Sequence, residues 1–102
     1  MEVEFLVVQG QPRGKSLHFP PGDFVVGRGP ECHIRPNTAY VNRQHCLLRV
    51  TRDGALLRDL GSSTGTLVNG RLVVGERLLN VGDRVQLGPV VLEMRKRGEP
   101  QG

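Results

Sequence analysis

The sequence predicts an all-β fold, a sandwich of about eleven strands in two twisted sheets, antiparallel or mixed. Three observations carry that expectation. Short apolar, β-branched runs recur along the chain. Gly or Pro interrupts the chain almost every 8–12 residues. No stretch sustains the i, i+3, i+4, i+7 apolar spacing of a helix, and many short strands set off by turn residues are the pattern of a sandwich or barrel.

The strands follow in order. The first is expected at Glu2–Val8, and a short second at Ser16–Phe19 closes on Pro20-Pro21-Gly22. A third is expected at Asp23–Gly27, with Phe24 and Val26 sharing a face, and a short fourth at Cys32–Arg35. Pro36 and Asn37 break the chain into a loop that runs to Arg43. His45–Thr51 and Ala55–Leu60 read as a hairpin, because Asp53-Gly54 between them is a tight-turn pair. A Ser/Thr/Gly loop follows, then Thr66–Val68, the turn Asn69-Gly70, and Arg71–Val73. Glu76–Leu79, Arg84–Leu87 and Val90–Arg95 complete the set, separated by Val81-Gly82-Asp83 and Gly88-Pro89. Residues 1–95 are therefore one domain, and 96–102 read as a flexible tail or linker.

Composition narrows the function classes. The chain has 102 residues, 37% hydrophobic and 24% charged, which is globular composition. No apolar run approaches the roughly 20 residues of a membrane span, so no membrane association is expected. The opening MEVEFLVVQG lacks the basic start of a signal peptide. With no export signal, the two cysteines, Cys32 and Cys46, are expected as reduced thiols in a cytoplasmic protein. Net charge is +4, and 12 of the 14 cationic side chains are Arg, whose planar fork suits phosphate and carboxylate.

Two constellations invite chemistry and are set aside, and a third reading is weakened. Gly61-Ser62-Ser63-Thr64-Gly65 matches the G-x-S-x-G nucleophile elbow, with His45 and Asp59 as tempting partners. An elbow needs a helix after the serine, and here a strand and a hairpin follow, so no enzyme is expected. Cys32-His33 and His45-Cys46 resemble a zinc set. Neighbours on a strand point to opposite faces, so neither pair offers two ligands to one ion, and no metal or other cofactor is expected. The sequence pI near 9.8 allows nucleic acid, but 3 Phe, 1 Tyr and no Trp make a poor stacking surface.

The favoured pattern lies in three loops. Gly27-Arg28-Gly29, Asn42-Arg43-Gln44 with His45, and Ser62-Ser63-Thr64-Gly65 each set guanidinium, amide or hydroxyl groups beside turn residues. Gathered at one end of a sandwich, Arg28 and Arg43 would supply charge-assisted bonds, and Asn42, Ser63 and Thr64 directional donors. That set suits a phosphate dianion carried on a peptide side chain.

These loops lie in longer motifs. VVGR (25–28), VNRQHC (41–46) and LRDLGSSTGTLVNG (57–70), with the late GDRVQLG (82–88), resemble in order and spacing the motifs of forkhead-associated (FHA) domains. The resemblance runs from about Phe5 to Arg95. It implies an eleven-stranded sandwich that binds phosphothreonine peptides, reading partners of Ser/Thr kinases. Residue by residue, it implies Arg28 as the phosphate-binding arginine and Arg43 as a further phosphate or peptide contact. It implies Asn42 in the place of the family's phosphate-binding serine, a departure that exchanges a hydroxyl for a longer amide. Ser63 and Thr64 fall where the family contacts phosphothreonine and peptide backbone, and Asn69 where it supports the loops or contacts the peptide. His45 falls on the histidine that braces the loops, with Gly27 and Gly65 as backbone devices beside it. Two alternatives stay open: a degenerate module binding proteins without phosphate, which the Asn42 departure leaves room for, and a basic nucleic-acid binder.

Overall fold

The structure, a computed structural model, describes residues 3–10, 13–36 and 38–96. These residues form ten strands: β1 (Val3–Gln9), β2 (Ser16–Phe19), β3 (Gly22–Val26), β4 (Cys46–Thr51), β5 (Gly54–Asp59), β6 (Thr66–Val68), β7 (Arg71–Leu72), β8 (Glu76–Leu79), β9 (Arg84–Leu87) and β10 (Val90–Lys96). One sheet has the order β2-β1-β10-β9-β6-β7, and the other β3-β4-β5-β8. Every ladder in both sheets is antiparallel. No helix occurs among the described residues, so none there is long and apolar enough to cross a membrane.

Alternation builds the two layers. In β10, Val90, Leu92 and Met94 are buried, while Val91, Glu93 and Arg95 face outward. In β4, Cys46, Leu48 and Val50 turn in, and Arg49 and Thr51 turn out. The period of two places each inward set opposite the other sheet. An edge-on ring series then joins the sheets at one side: Phe5 to Phe19 at 5.8 Å, and Phe19 to Phe24 at 4.9 Å between centroids. The β6–β7 hairpin turns as its residues require. Asn69 and Gly70 sit at φ 51° and 81°, the left-handed pair of a two-residue turn that matches strand twist.

The described strands number ten rather than eleven because Cys32–Arg35 is not a strand. Ile34 makes a single parallel bridge to Val26, and the N–H groups of His33 and Ile34 converge on one carbonyl, Val25 O, at 2.9 and 3.3 Å. Pro36 then has no N–H with which to extend a ladder. The segment hugs the end of β3 instead of adding to it. Elsewhere strand ends move by at most one residue. Lys96 belongs to β10 and not to a tail, and positions 1–2 and 97–102 lie outside the described residues.

Antiparallel order sends the chain up and down the sandwich, so one pole collects the ends of β3, β5 and β9 and the starts of β4, β6 and β10. The loops 27–45 and 60–65 therefore share that pole. Beneath them the core is packed by Leu87, Val68, Val41 and Met94, each fully buried. Leu87→Ala removes a side chain that the two sheets enclose, and the expected loss of stability is about 3 kcal/mol. A urea titration would read it as a lower midpoint at unchanged slope.

Candidate functional site

Loop 27–45 is laid against itself by backbone contact. Arg28 N–H donates to Asn42 O and Gly29 N–H to Arg43 O, both at 2.9 Å. The buried thiol of Cys32 donates to the same Arg43 carbonyl at 3.0 Å. Gly27 makes this approach possible, since a Cβ there would stand 2.3 Å from Arg43 O. Arg28 is exposed, and its Nε donates to Val41 O. Its two Nη groups have no hydrogen-bond or ion-pair partner among the described residues. One nitrogen anchors the guanidinium, and the exposed side chain leaves the other two without a partner among the described residues.

His45 is fully buried between the loops. Its Nδ1 accepts the Asn42 backbone N–H at 3.1 Å. The proton therefore sits on Nε2, which donates to Gly65 O at 2.9 Å. Gly65, at φ 83°, turns its carbonyl inward in a conformation that a Cβ would strain. A second link lies nearer the surface. Asn42 Oδ1 accepts both the N–H and the hydroxyl of Ser63, at 3.0 and 3.1 Å. The N–H donor decides the amide's orientation, so Nδ2 carries two hydrogens that have no partner among the described residues. Thr64 adds a third link, donating its hydroxyl to Tyr40 O at 2.7 Å.

Loop 60–65 is shaped by Asp59 at the end of β5. Its Oδ2 accepts the N–H groups of Gly61 and Ser62, both at 3.0 Å. Its Oδ1 accepts the hydroxyls of Ser62 at 2.5 Å and of buried Thr66 at 2.8 Å. Partial burial works against ionisation, but the hydroxyl and N–H bonds outweigh it and hold the carboxyl below the ordinary aspartate range.

The remaining sequence candidates fall in different places. Arg43 is 74% exposed, with Nε 3.5 Å from Glu31 Oε1. Glu31 also accepts from Gln44 Nε2 at 3.4 Å, and its carboxyl is held low first by its own backbone N–H and then by Arg43. Asn69 is not brought to the cluster. It lies beyond the far end of β6, where Nδ2 donates to Asp83 Oδ1 at 2.8 Å and Oδ1 accepts Arg84 N–H at 3.0 Å. Ser63, His45 and Asp59 share no mutual bond: both His45 nitrogens serve backbone groups, and Asp59 bonds Ser62 and Thr66. The four Cys and His of the apparent zinc set are likewise separately engaged. His33 Nδ1 accepts Val25 N–H at 3.2 Å, and burial, aided by the nearby Asp59 charge, pushes the Cys46 thiol up to about 12.

The model of the FHA domain family matches residues 24–88, which contain all of these loops. The chain belongs to the FHA family. FhaA of Mycobacterium tuberculosis, an FHA domain-containing protein, is 35% identical over 75 residues, covering 74% of this chain and 14% of its own. Human proliferation marker protein Ki-67 is 33% identical over 72 residues, 69% of this chain and 2% of its own. The chain thus spans a small part of these relatives. Among solved structures, one from a study of phosphothreonine-dependent FHA domain interactions is 29% identical with TM-score 0.85, covering 97% of this chain and 100% of that one.

In this FHA domain, sequence reading passed over Asp59 and Ser62 as loop builders. The signal was present, because an Asp followed at two and three positions by turn residues commonly caps their N–H groups. The Arg28–Val41 and Thr64–Tyr40 bonds left no such local mark, since each joins residues far apart in the chain. Asp59 also sets a pH response. Its folded pKa is depressed, so its contribution is present above the unfolded value and is lost as pH falls below about 4. Asp59→Asn is expected to lower the melting temperature at pH 7 and to flatten its decline between about pH 5 and 3, as differential scanning calorimetry across pH would record.

Proposed function

We propose that this FHA domain binds phosphothreonine-containing segments of partner proteins at the pole formed by loops 27–45 and 60–65, and thereby reads the product of a Ser/Thr kinase. The observation that carries the reading is the state of Arg28. Its exposed guanidinium is tethered by one nitrogen to Val41 O, with the other two unpaired among the described residues. A cation held in that way loses little further freedom on meeting a phosphate, and its unpaired nitrogens suit two phosphate oxygens. Asn42 stands beside it with Oδ1 committed to Ser63, which leaves Nδ2 as a neutral donor for a third oxygen. Support also comes from the similar structure solved in a study of phosphothreonine-dependent FHA domain interactions.

Within this reading Ser63 turns its hydroxyl from Asn42 to the ligand, and Thr64 meets the phosphothreonine or the peptide backbone. Arg43 supplies a second cation at the rim, exchanging Glu31 for phosphate. Asn69 acts from behind, by holding the β6–β7 hairpin against Asp83 and Arg84. The loops perform no chemistry: the kinase adds the charge, and the domain reports it. A footprint this small corresponds to transient binding, with Kd on the order of micromolar, or about −8 kcal/mol. The module belongs in a reducing compartment such as the cytoplasm, where the buried thiols of Cys32 and Cys46 stay free.

Two measurements test the reading. In a fluorescence-anisotropy titration, phosphothreonine peptides should bind and their unphosphorylated copies should not. Arg28→Ala should weaken binding by about 10- to 100-fold, the worth of one or two bonds to a charged group. Equal binding of both peptide forms would leave the phosphate-independent module in its place. Salt-sensitive DNA binding indifferent to Arg28→Ala would favour the nucleic-acid reading instead. The second measurement uses Asn42→Asp, which keeps the acceptor for Ser63 and replaces the free NH2 with a second carboxylate oxygen. Affinity is expected to fall at least about tenfold, while the amide NMR shifts of Gly65 and Thr66 stay in place. Unaltered affinity would remove Asn42 from the contact set.

A further inference from the structure

A second concave site lies beside the phosphate-reading cluster, where the β1–β2 hairpin meets residues 33–36 of loop 27–45. Its volume is about 270 Å3. The floor is apolar: Val7, Leu17, Ile34, Pro36, Val90 and Leu92. The rim is formed by Lys15, His33 and Arg35, all exposed. No Asp or Glu is among the lining residues. The acids with charged or amide partners sit elsewhere, Asp23 with Arg49, Glu31 with Arg43, Glu93 with Arg84 and Arg95, and Asp83 with Asn69. Lys15 and Arg35 have no side-chain hydrogen bond or ion pair among the described residues. His33 spends Nδ1 on Val25 N–H and packs edge-on against Phe24, so its remaining nitrogen, Nε2, is a donor.

A chain with unbalanced positive charge around an apolar hollow presents two demands at once. The floor rewards removal of an apolar body from water, and the rim rewards an anion. At about 30 Å3 for each water-sized group, the hollow holds roughly nine heavy atoms. We propose that this cavity binds a compact amphipathic carboxylate, a free medium-chain acid whose hydrocarbon lies on Ile34 and Leu92 and whose head meets Lys15 and Arg35. Charge complementarity and volume select this occupant. A shorter acid leaves the floor wet, and an alcohol or amine of equal length leaves the rim cations without a counter-charge.

The test titrates the full chain with octanoate and follows backbone and methyl NMR shifts. Saturable changes at Val7, Leu17, Ile34, Val90 and Leu92, without changes at Arg28 or Ser63, are expected. Butanoate and octan-1-ol should each bind at least about tenfold more weakly, a comparison that needs no variant. Lys15→Gln combined with Arg35→Gln should weaken octanoate by a similar factor with the rest of the spectrum unchanged. Octan-1-ol binding as tightly as octanoate, or shifts scattered outside the cavity, would overturn the proposal. So would tighter binding of an acetylated peptide ending in leucine, which would assign the hollow to a protein C-terminus. Octanoate that fails to saturate at millimolar concentration would also sink it.

Discussion

One imidazole keeps the two loops of the reading pole together. His45 is buried and bonded at both nitrogens, to Asn42 N–H on one loop and to Gly65 O on the other. A buried polar ring left unpaired would cost about 1–3 kcal/mol per group, so separating the loops is unfavourable even before surface contacts are counted. Its own backbone continues the same task, since His45 N–H donates to Val26 O at 2.8 Å and His45 O accepts Leu60 N–H at 3.0 Å. Thr66, the other buried polar side chain among the described residues, is satisfied by Asp59, which in turn orders Gly61 and Ser62. Both buried polar groups thus serve loops rather than the apolar core, and no described buried side-chain polar atom lacks a partner.

The surface layer rests on that buried layer. Asn42 is positioned from below through its N–H to His45, and only then can its Oδ1 reach Ser63. Arg28 is positioned through Asn42 O and Val41 O on the same segment. Side chains that face solvent are therefore oriented by main-chain contacts, which lose less entropy on binding than free side chains would. Gly27 shows how tight the arrangement is, because a single added carbon has nowhere to go between Arg43 and Asn42.

Strand positions were legible wherever alternation met a turn pair. Ser16–Phe19, Thr66–Val68, Glu76–Leu79 and Arg84–Leu87 emerge with the expected bounds, and Asn69-Gly70 turns as its residues demand, whereas at the β4–β5 hairpin Arg52-Asp53 make the turn and Gly54 opens β5 opposite Thr51. Cys32–Arg35 misled because its apolar content is real, yet it serves a single bridge and the core instead of a ladder. At the pole, resemblance located Arg28, Asn42, His45, Ser63 and Thr64, and the fold brings these into one linked group. It could not foretell that Ser63 and Asn42 bond each other, since that depends on how two distant loops meet; that Asn69 sits at the other end of β6 already follows from its place after Thr66–Val68.

The pairing of β1 with β10 has a mechanical meaning. Val3 lies opposite Lys96, while Gln9 and Val91 lie opposite each other near the reading pole. The first and last described residues therefore stand side by side at the base, about six strand residues, or roughly 20 Å, from the loops. Both ends of the described chain are thus anchored at one place, at the end of the sandwich away from the loops. A force applied at Val3 and Lys96 would load the β1–β10 ladder from its base, at the end of the sandwich opposite the loops.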